Sequence, residues 1–307
     1  MPAENQPVPP QSEVSKLLLI VDGHAYAYRA FHAIRSLSSP TGVPTNAIFG
    51  FIKMLAKMRS WLKPTHLAVI WDGGLAAERM EILPEYKAQR PPMPDDLERQ
   101  IDEIFQFLQA TNIASLCRDG VEADDWIAAL ARHAEAASAR VVIASSDKDF
   151  MQLVSARVGL VNPNDKSETV WTAAEVRAKA GVEPEQIVDW LSLMGDNVDN
   201  IRGVPGVGPK TAAELLRQFG LVSAIFDRLD QVKSEKLRSD LQASAGIVRR
   251  NQKLIRLNAD LPCDFSWAEL SIRSADYHRL HTLYSRWGFR SLLQELETAR
   301  PRQSELF

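Results

Sequence analysis

Cysteine is almost absent from this 307-residue chain. Cys117 and Cys263 could form at most one bridge and lack metal-ligand spacing, so the sequence excludes a disulfide scaffold and a thiolate zinc site. They read as two buried thiols of a reducing cytoplasm. No apolar run approaches the roughly 18 residues a membrane span needs, and the opening MPAENQPVPPQSE has no cationic start followed by an apolar stretch, so nothing points to export. No internal repeat and no coiled-coil period is present, and a monomer is expected. Acid is missing locally rather than globally. Residues 23–71 contain no Asp or Glu yet carry Arg29, Arg35, Lys53, Lys57, Arg59 and Lys63, and residues 241–259 are also acid-free and hold Arg249, Arg250, Lys253 and Arg256. Either stretch alone would pass for a solvated face. Together with acid concentrated elsewhere, they suit a protein that grips phosphates in one place and holds metal in another, despite a net charge of -3.

What is present is enough apolar residue, 45%, to bury a full core. Short apolar runs at 17–21, 66–70 and 141–144 each end in turn residues, with weaker candidates at 112–117 and 158–161; runs of this kind read as buried parallel strands. Helical patterns at 47–62 and 97–108 lie between them, so the order is that of an α/β doubly wound sheet. From about Gly181 the pattern changes to helices separated by Gly and Pro. The expected division is a polar tail over 1–15, a sheet domain over 16–180, a helical domain over 181–295 and a loose tail over 296–307.

In open α/β sheets ligands sit beyond the carboxyl ends of the strands. Asp22, Asp72 and the pair Asp147 and Asp149 each follow directly on an expected strand. Glu122, Asp124 and Asp125 open a helix, where an isolated acidic cluster would ordinarily serve as a cap, and Asp196 and Asp199 sit in MGDNVDN, otherwise a polar turn. Converging carboxylates cannot all stay ionised without a cation among them. Setting these nine aside leaves 36 basic residues against 30 acidic ones, so the rest of the chain is net positive. Oxygen-only ligands point to Mg²⁺ or Mn²⁺, and two such ions roughly 4 Å apart are the usual arrangement for hydrolysing a phosphodiester.

Gly203-Val-Pro-Gly206-Val-Gly208-Pro-Lys210-Thr211 precedes a helical pattern over 212–219. The spacing is not that of a Walker loop. It fits a helix-hairpin-helix, which presents glycine-loop and helix-start amides to a DNA backbone without reading bases.

LLLIVDGHAYAYRAFHA, GVEADDWIA, SSDKDFMQLV and MGDNVDNIRGVPGVGPKTAAELL, in this order between about Leu17 and Leu257, resemble the 5′ nuclease domain of bacterial DNA polymerase I and its flap endonuclease relatives. The resemblance implies a PIN-like parallel sheet, a helical arch near residues 79–94, and a helix-three-turn-helix clamp able to hold K⁺. It makes Asp22, Asp72, Glu122, Asp124, Asp125, Asp147, Asp149, Asp196 and Asp199 the metal-site acids. Tyr86-Lys87-Ala-Gln-Arg90 is similar to the family's Tyr-Lys-x-x-Arg, so Lys87 and Arg90 would stabilise charge developing on the scissile phosphate. Arg29, Lys53, Gly203, Gly206, Gly208, Lys210 and Thr211 would contact DNA.

The function implied is a structure-specific 5′ nuclease acting on DNA flaps, nicks and ends, RNA-primed ends included, in bacterial replication or repair. Because the chain stops at Phe307, a free-standing nuclease, or a fragment designed to look like one, is expected, and its place is the bacterial cytoplasm at the nucleoid. Two other readings stand beside it: a junction-binding protein with a dead site, against which the intact acid set speaks, and an RNA-directed PIN-type nuclease, which would ordinarily lack the glycine hairpin. Finally, Gln303, Leu306 and Phe307 are similar to the Gln-x-x-Leu-Phe peptides that dock on the bacterial sliding clamp; a chance match, or Leu306 and Phe307 folding back on the helices, is the plainer alternative.

Overall fold

The computed structural model describes residues 16–163, 167–263 and 265–299. The expected tail over 1–15 and the clamp-like peptide at 303–307 lie outside them. Among the described residues, β1 (Leu17–Asp22), β2 (His66–Trp71), β3 (Ala114–Cys117), β4 (Arg140–Ala144) and β5 (Val158–Val161) form a parallel sheet in the order β3-β2-β1-β4-β5. Both weaker strand candidates are therefore strands, and both are edges.

The near-continuous apolar runs follow from burial on both faces. Leu18 and Ile20 pack in one core, Leu19 and Val21 in the other, as alternation along a strand requires. On the second face lie α1 (Gly23–Ala33), α2 (Asn46–Leu62) and α4 (Asp95–Ala110), the last burying Leu97, Ile101, Ile104 and Leu108 at helical spacing. Gly23 is forced by packing: a Cβ there would sit 2.6 Å from the Trp71 ring. The first face carries α5 (Ala123–Ala136) and then the helical region, α6 (Ala173–Ala180), α7 (Ile187–Met194), α8 (Pro209–Phe219), α9 (Val222–Asp227) and α10 (Glu235–Ile255), in one continuous core.

Three expectations need correcting. Cys117, expected as a buried thiol, is exposed at the end of β3, and Cys263 is half-buried. The helical region does not run undivided to residue 295. After α11 (Trp267–Leu270), helices α12 (Tyr277–Trp287) and α13 (Arg290–Ala299) return to the second face, where Leu280, Leu283, Trp287 and Leu292 bury beside residues of α2 and α4. A period of 3.6 marks such helices as amphipathic but does not say which surface they cover. The segment expected to form an arch holds the six-residue α3 (Ala77–Ile82) followed by tight turns, with Leu83, Tyr86 and Lys87 buried against the molecule. No continuous helix spans 79–94.

Candidate metal-dependent active site

The connections leave β1 in one direction and β4 in the other, so a crevice opens between the carboxyl ends of these two strands. A cavity of about 370 Å³ lies there, lined by Asp22, Asp72, Asp124, Asp147 and Asp196 together with His24, Tyr28, Arg90 and Lys148. Asp22 ends β1 and caps α1, accepting from the Ala25 amide at 3.0 Å and from the Ser145 hydroxyl at 2.8 Å. The same Ser145 Oγ accepts from the Asp147 amide at 3.2 Å, tying the two strand ends together. Asp72 follows β2, and its amide donates to His24 Nδ1 at 3.2 Å. Asp147 caps the short 3-10 helix Lys148–Leu153 and accepts from the Asp149 amide at 2.9 Å.

A second group shares Asp196 with this wall. Asp149, Asp196 and Asp199 each offer a carboxylate oxygen, all within 4.8 Å of one another. Asp196 and Asp199 are held on the hairpin of β6 (Gly195–Asp196) and β7 (Ile201–Arg202). Asp149 Oδ1 is buried with no hydrogen-bond partner among the described residues. Such an atom costs free energy unless a cation meets it, and an oxygen-only donor set fits a hard divalent ion.

The electrostatics agree. Burial, followed by the charges of Asp147 and Asp72, pushes the Asp22 carboxyl up to about 6 against the hydrogen bonds it accepts. Asp124, Asp147 and Asp149 are raised as well, each first by burial and then by neighbouring carboxylates. These groups repel one another in the absence of a cation.

Basic side chains hold part of the cluster. Lys87 Nζ donates to Glu122 at 3.1 Å and lies 3.7 Å from Asp124. Arg90 donates to Asp199 at 2.6 Å and Lys148 to Asp196 at 2.6 Å. Arg79 is buried; it pairs with Glu122 and bidentately with Asp125 and donates to the Leu254 and Arg256 carbonyls. Burial opposes the charges of Arg79 and Lys87, but the surrounding carboxylates outweigh it and hold both above their usual values.

Of the nine expected acids, five line the cavity, and Asp149 and Asp199 group with Asp196, one of the five. Glu122 is buried at the start of α5 and engaged by Arg79, Lys87 and Tyr86. Asp125 faces elsewhere. It lines a separate groove with Arg79, Lys253 and Arg256, and its Oδ1 also accepts the Asn258 amide at 2.8 Å. Neighbours on a helix diverge by about 100°, so Asp124 and Asp125 cannot share one face.

The glycine segment joins α7 to α8 immediately after the hairpin carrying Asp196 and Asp199. Gly203 packs backbone on backbone, where a Cβ would lie 2.2 Å from Met194 C, and Gly206 has φ +74°. Gly208 caps α8, and with Pro209 in the first position the Lys210 and Thr211 amides have no carbonyl partner within the helix. Lys210 is exposed, as a backbone clamp requires. Arg29 is half-buried on α1. Lys53 pairs with Glu295 of α13 at 3.1 Å on the surface. His24, Tyr28, Lys148 and the two-thirds-exposed Val198 line the cavity without having been singled out by sequence. Lys148 alone had a signal, its place between Asp147 and Asp149.

Two family models match the chain: "5'-3' exonuclease, N-terminal resolvase-like domain" over residues 17–181 and "5'-3' exonuclease, C-terminal SAM fold" over 182–278. A protein named 5'-3' exonuclease from Aquifex aeolicus is 39% identical over 285 residues, covering 92% of this chain and 96% of that protein. DNA polymerase I of Bacillus caldotenax is 38% identical over 288 residues; the chain spans 93% of itself but only 33% of that longer protein. Among solved structures, the bacteriophage T5 flap endonuclease in a pseudo-enzyme-product complex with DNA and metal ions superposes with a TM-score of 0.66 at 24% identity, covering 92% of this chain and all of the other. The catalytic core of Rad2 in complex with DNA substrate gives 0.62 at 17%, covering 95% of this chain and 94% of that one. Both likenesses concern the fold.

Proposed function

The chain belongs to the 5′-3′ exonuclease family, and from that premise we propose that it is a structure-specific nuclease hydrolysing phosphodiester bonds at 5′ ends and flaps of DNA with two divalent ions, Mg²⁺ or Mn²⁺. The observation that carries the proposal is the carboxylate-lined cavity at the sheet's switch point, with a buried, unpartnered Asp149 oxygen in the group that shares Asp196 with it. Asp22, Asp72, Asp124 and Asp147 would hold one ion and Asp149, Asp196 and Asp199 the other. When bound, such ions activate water and stabilise the leaving oxygen.

The chain's own residues do the rest. Ser145 fixes Asp22 against the Asp147 loop, and His24 fixes the Asp72 backbone, so the acids are oriented before a substrate arrives. Arg90, on the cavity wall, and Lys87, beside Glu122 and Asp124, supply positive charge for a phosphate. The amides and Lys210 at the start of α8 hold the duplex backbone at a fixed distance from the cavity. K⁺ at the same loop, RNA-primed ends as substrates, a monomeric state and a sliding clamp engaged through Gln303, Leu306 and Phe307 belong to this proposal.

Among the described residues no helix is long and apolar enough to cross a membrane. The test is cleavage of end-labelled single-flap, nicked and RNA-primed duplexes with Mg²⁺ and with excess EDTA. Products bearing a 5′-phosphate and a 3′-hydroxyl, formed only with the metal, are expected. Cleavage undiminished by EDTA would overturn the proposal.

A further inference from the structure

The two acid groups are not equally open. Asp22 and Asp147 meet only hydroxyl or amide donors, and the Lys87 ammonium beside Asp124 stands off at 3.7 Å. The second group is already met by cations. Lys148 Nζ lies 2.6 Å from Asp196 Oδ2, and Arg90 lies 2.6 Å from Asp199 Oδ1. The two cations differ in how they are held. Arg90 reaches Asp199 from the turns after α3, whereas Lys148 is built between two of the acids, on the 3-10 turn that Asp147 caps. Its side chain is one-third exposed and forms part of the cavity wall. An ammonium there neutralises one ligand of the three-carboxylate group and stands where a second cation would approach.

We infer that Lys148 is a built-in counter-ion of the Asp149, Asp196 and Asp199 group, which a divalent ion must displace, so that this group is the weaker of two ion sites and Lys148 sets the difference. The inference rests on the proposed function, because it presumes that two ions bind. Lys148 acts here through Asp196 and is a positioning residue.

The test is a Mn²⁺ titration of the full chain without DNA, following the free aquo ion by electron paramagnetic resonance. The wild type should take up one tighter and one weaker ion. Opposite charges within 4–6 Å displace a carboxylate's proton affinity by about 1–3 pK units, so removing the ammonium with Lys148→Met should tighten the weaker ion by about tenfold or more. Lys148→Gln should do the same, which guards against a packing effect of either variant. Lys148→Arg should restore the wild-type difference. Lys87→Met removes an equal charge beside Glu122 and Asp124 and should move the tighter ion instead. An unchanged or weakened second ion in both neutral Lys148 variants overturns the inference and leaves the nuclease proposal standing. Equal effects of the Lys87 and Lys148 variants on both ions overturn it too. A wild-type chain that binds no Mn²⁺ overturns the two-ion reading and this inference with it.

Discussion

Arg79 holds Asp125 with both arms of its guanidinium, Nη1 and Nη2 each 2.7 Å from one carboxylate oxygen, in a groove apart from the cavity that its neighbour Asp124 lines. Both side chains are buried, and the same guanidinium reaches Glu122 and two carbonyls at the end of α10. Breaking a buried pair of this kind costs about 3–5 kcal/mol. Asp125→Ala should therefore lower thermal stability by several degrees while the number of Mn²⁺ ions bound stays that of the wild type. Loss of one ion in a folded Asp125→Ala protein would return Asp125 to the metal site.

The buried carboxyls make stability depend on pH in a definite direction. Burial pushes the Asp22 carboxyl up to about 6 in the fold, from an ordinary value of about 4. Its contribution is thus fully present below about pH 4 and is lost as pH rises through about 6. Asp124, Asp147 and Asp149 are displaced the same way. The metal-free chain should be weakest at neutral and alkaline pH, and added Mg²⁺ should stabilise it most there. In EDTA, Asp22→Asn should exceed the wild type by about 1–3 kcal/mol at pH 8 and match it at pH 4, since each pK unit is worth about 1.4 kcal/mol. Denaturant unfolding at the two pH values checks this; an Asn variant no more stable at pH 8 would contradict it.

Lys210→Ala should weaken duplex binding by a similar factor for unrelated sequences and reduce the salt dependence by about one ion, because backbone contacts carry no base information. Gly206→Val places a β-branched side chain at φ +74° with open space around it, so its cost is backbone strain at the loop rather than a clash. It should weaken binding in the same sequence-independent way. Fluorescence anisotropy with two unrelated duplexes at several salt concentrations measures both. A loss confined to one sequence would contradict a backbone clamp.

Much of this site was legible because its acids punctuate the sequence: each of Asp22, Asp72 and Asp147 closes a short apolar run, and a parallel sheet gathers such ends on one edge. The edge strand Ala114–Cys117 was fainter, since it is half-buried to exposed and has no unbroken apolar run to show. Other features depend on contacts between distant residues, about which local pattern is silent. Arg79 lies 46 residues from Asp125, and Lys53 lies 242 from Glu295. In Glu-x-Asp-Asp nothing tells the carboxylate facing the cavity from the one facing Arg79. Lys148 was visible in sequence, but its contact with Asp196 on another element was not.

Deleting Gln303 to Phe307 should leave cleavage of free flap substrates unchanged and remove binding to a bacterial sliding clamp, because a short apolar anchor adds tethering rather than chemistry. Equal clamp affinity of full-length and truncated chains in a titration would reject that attachment.

Catalysis by the carboxylate cavity is tested most directly with Asp147→Asn, which removes one negative charge from the cavity wall and leaves the α8 hairpin untouched. Single-turnover cleavage of a labelled flap duplex in Mg²⁺, with binding of the same duplex measured alongside, should show cleavage abolished while affinity stays close to wild type. An Asp147→Asn chain that cuts at near wild-type rate would contradict the account.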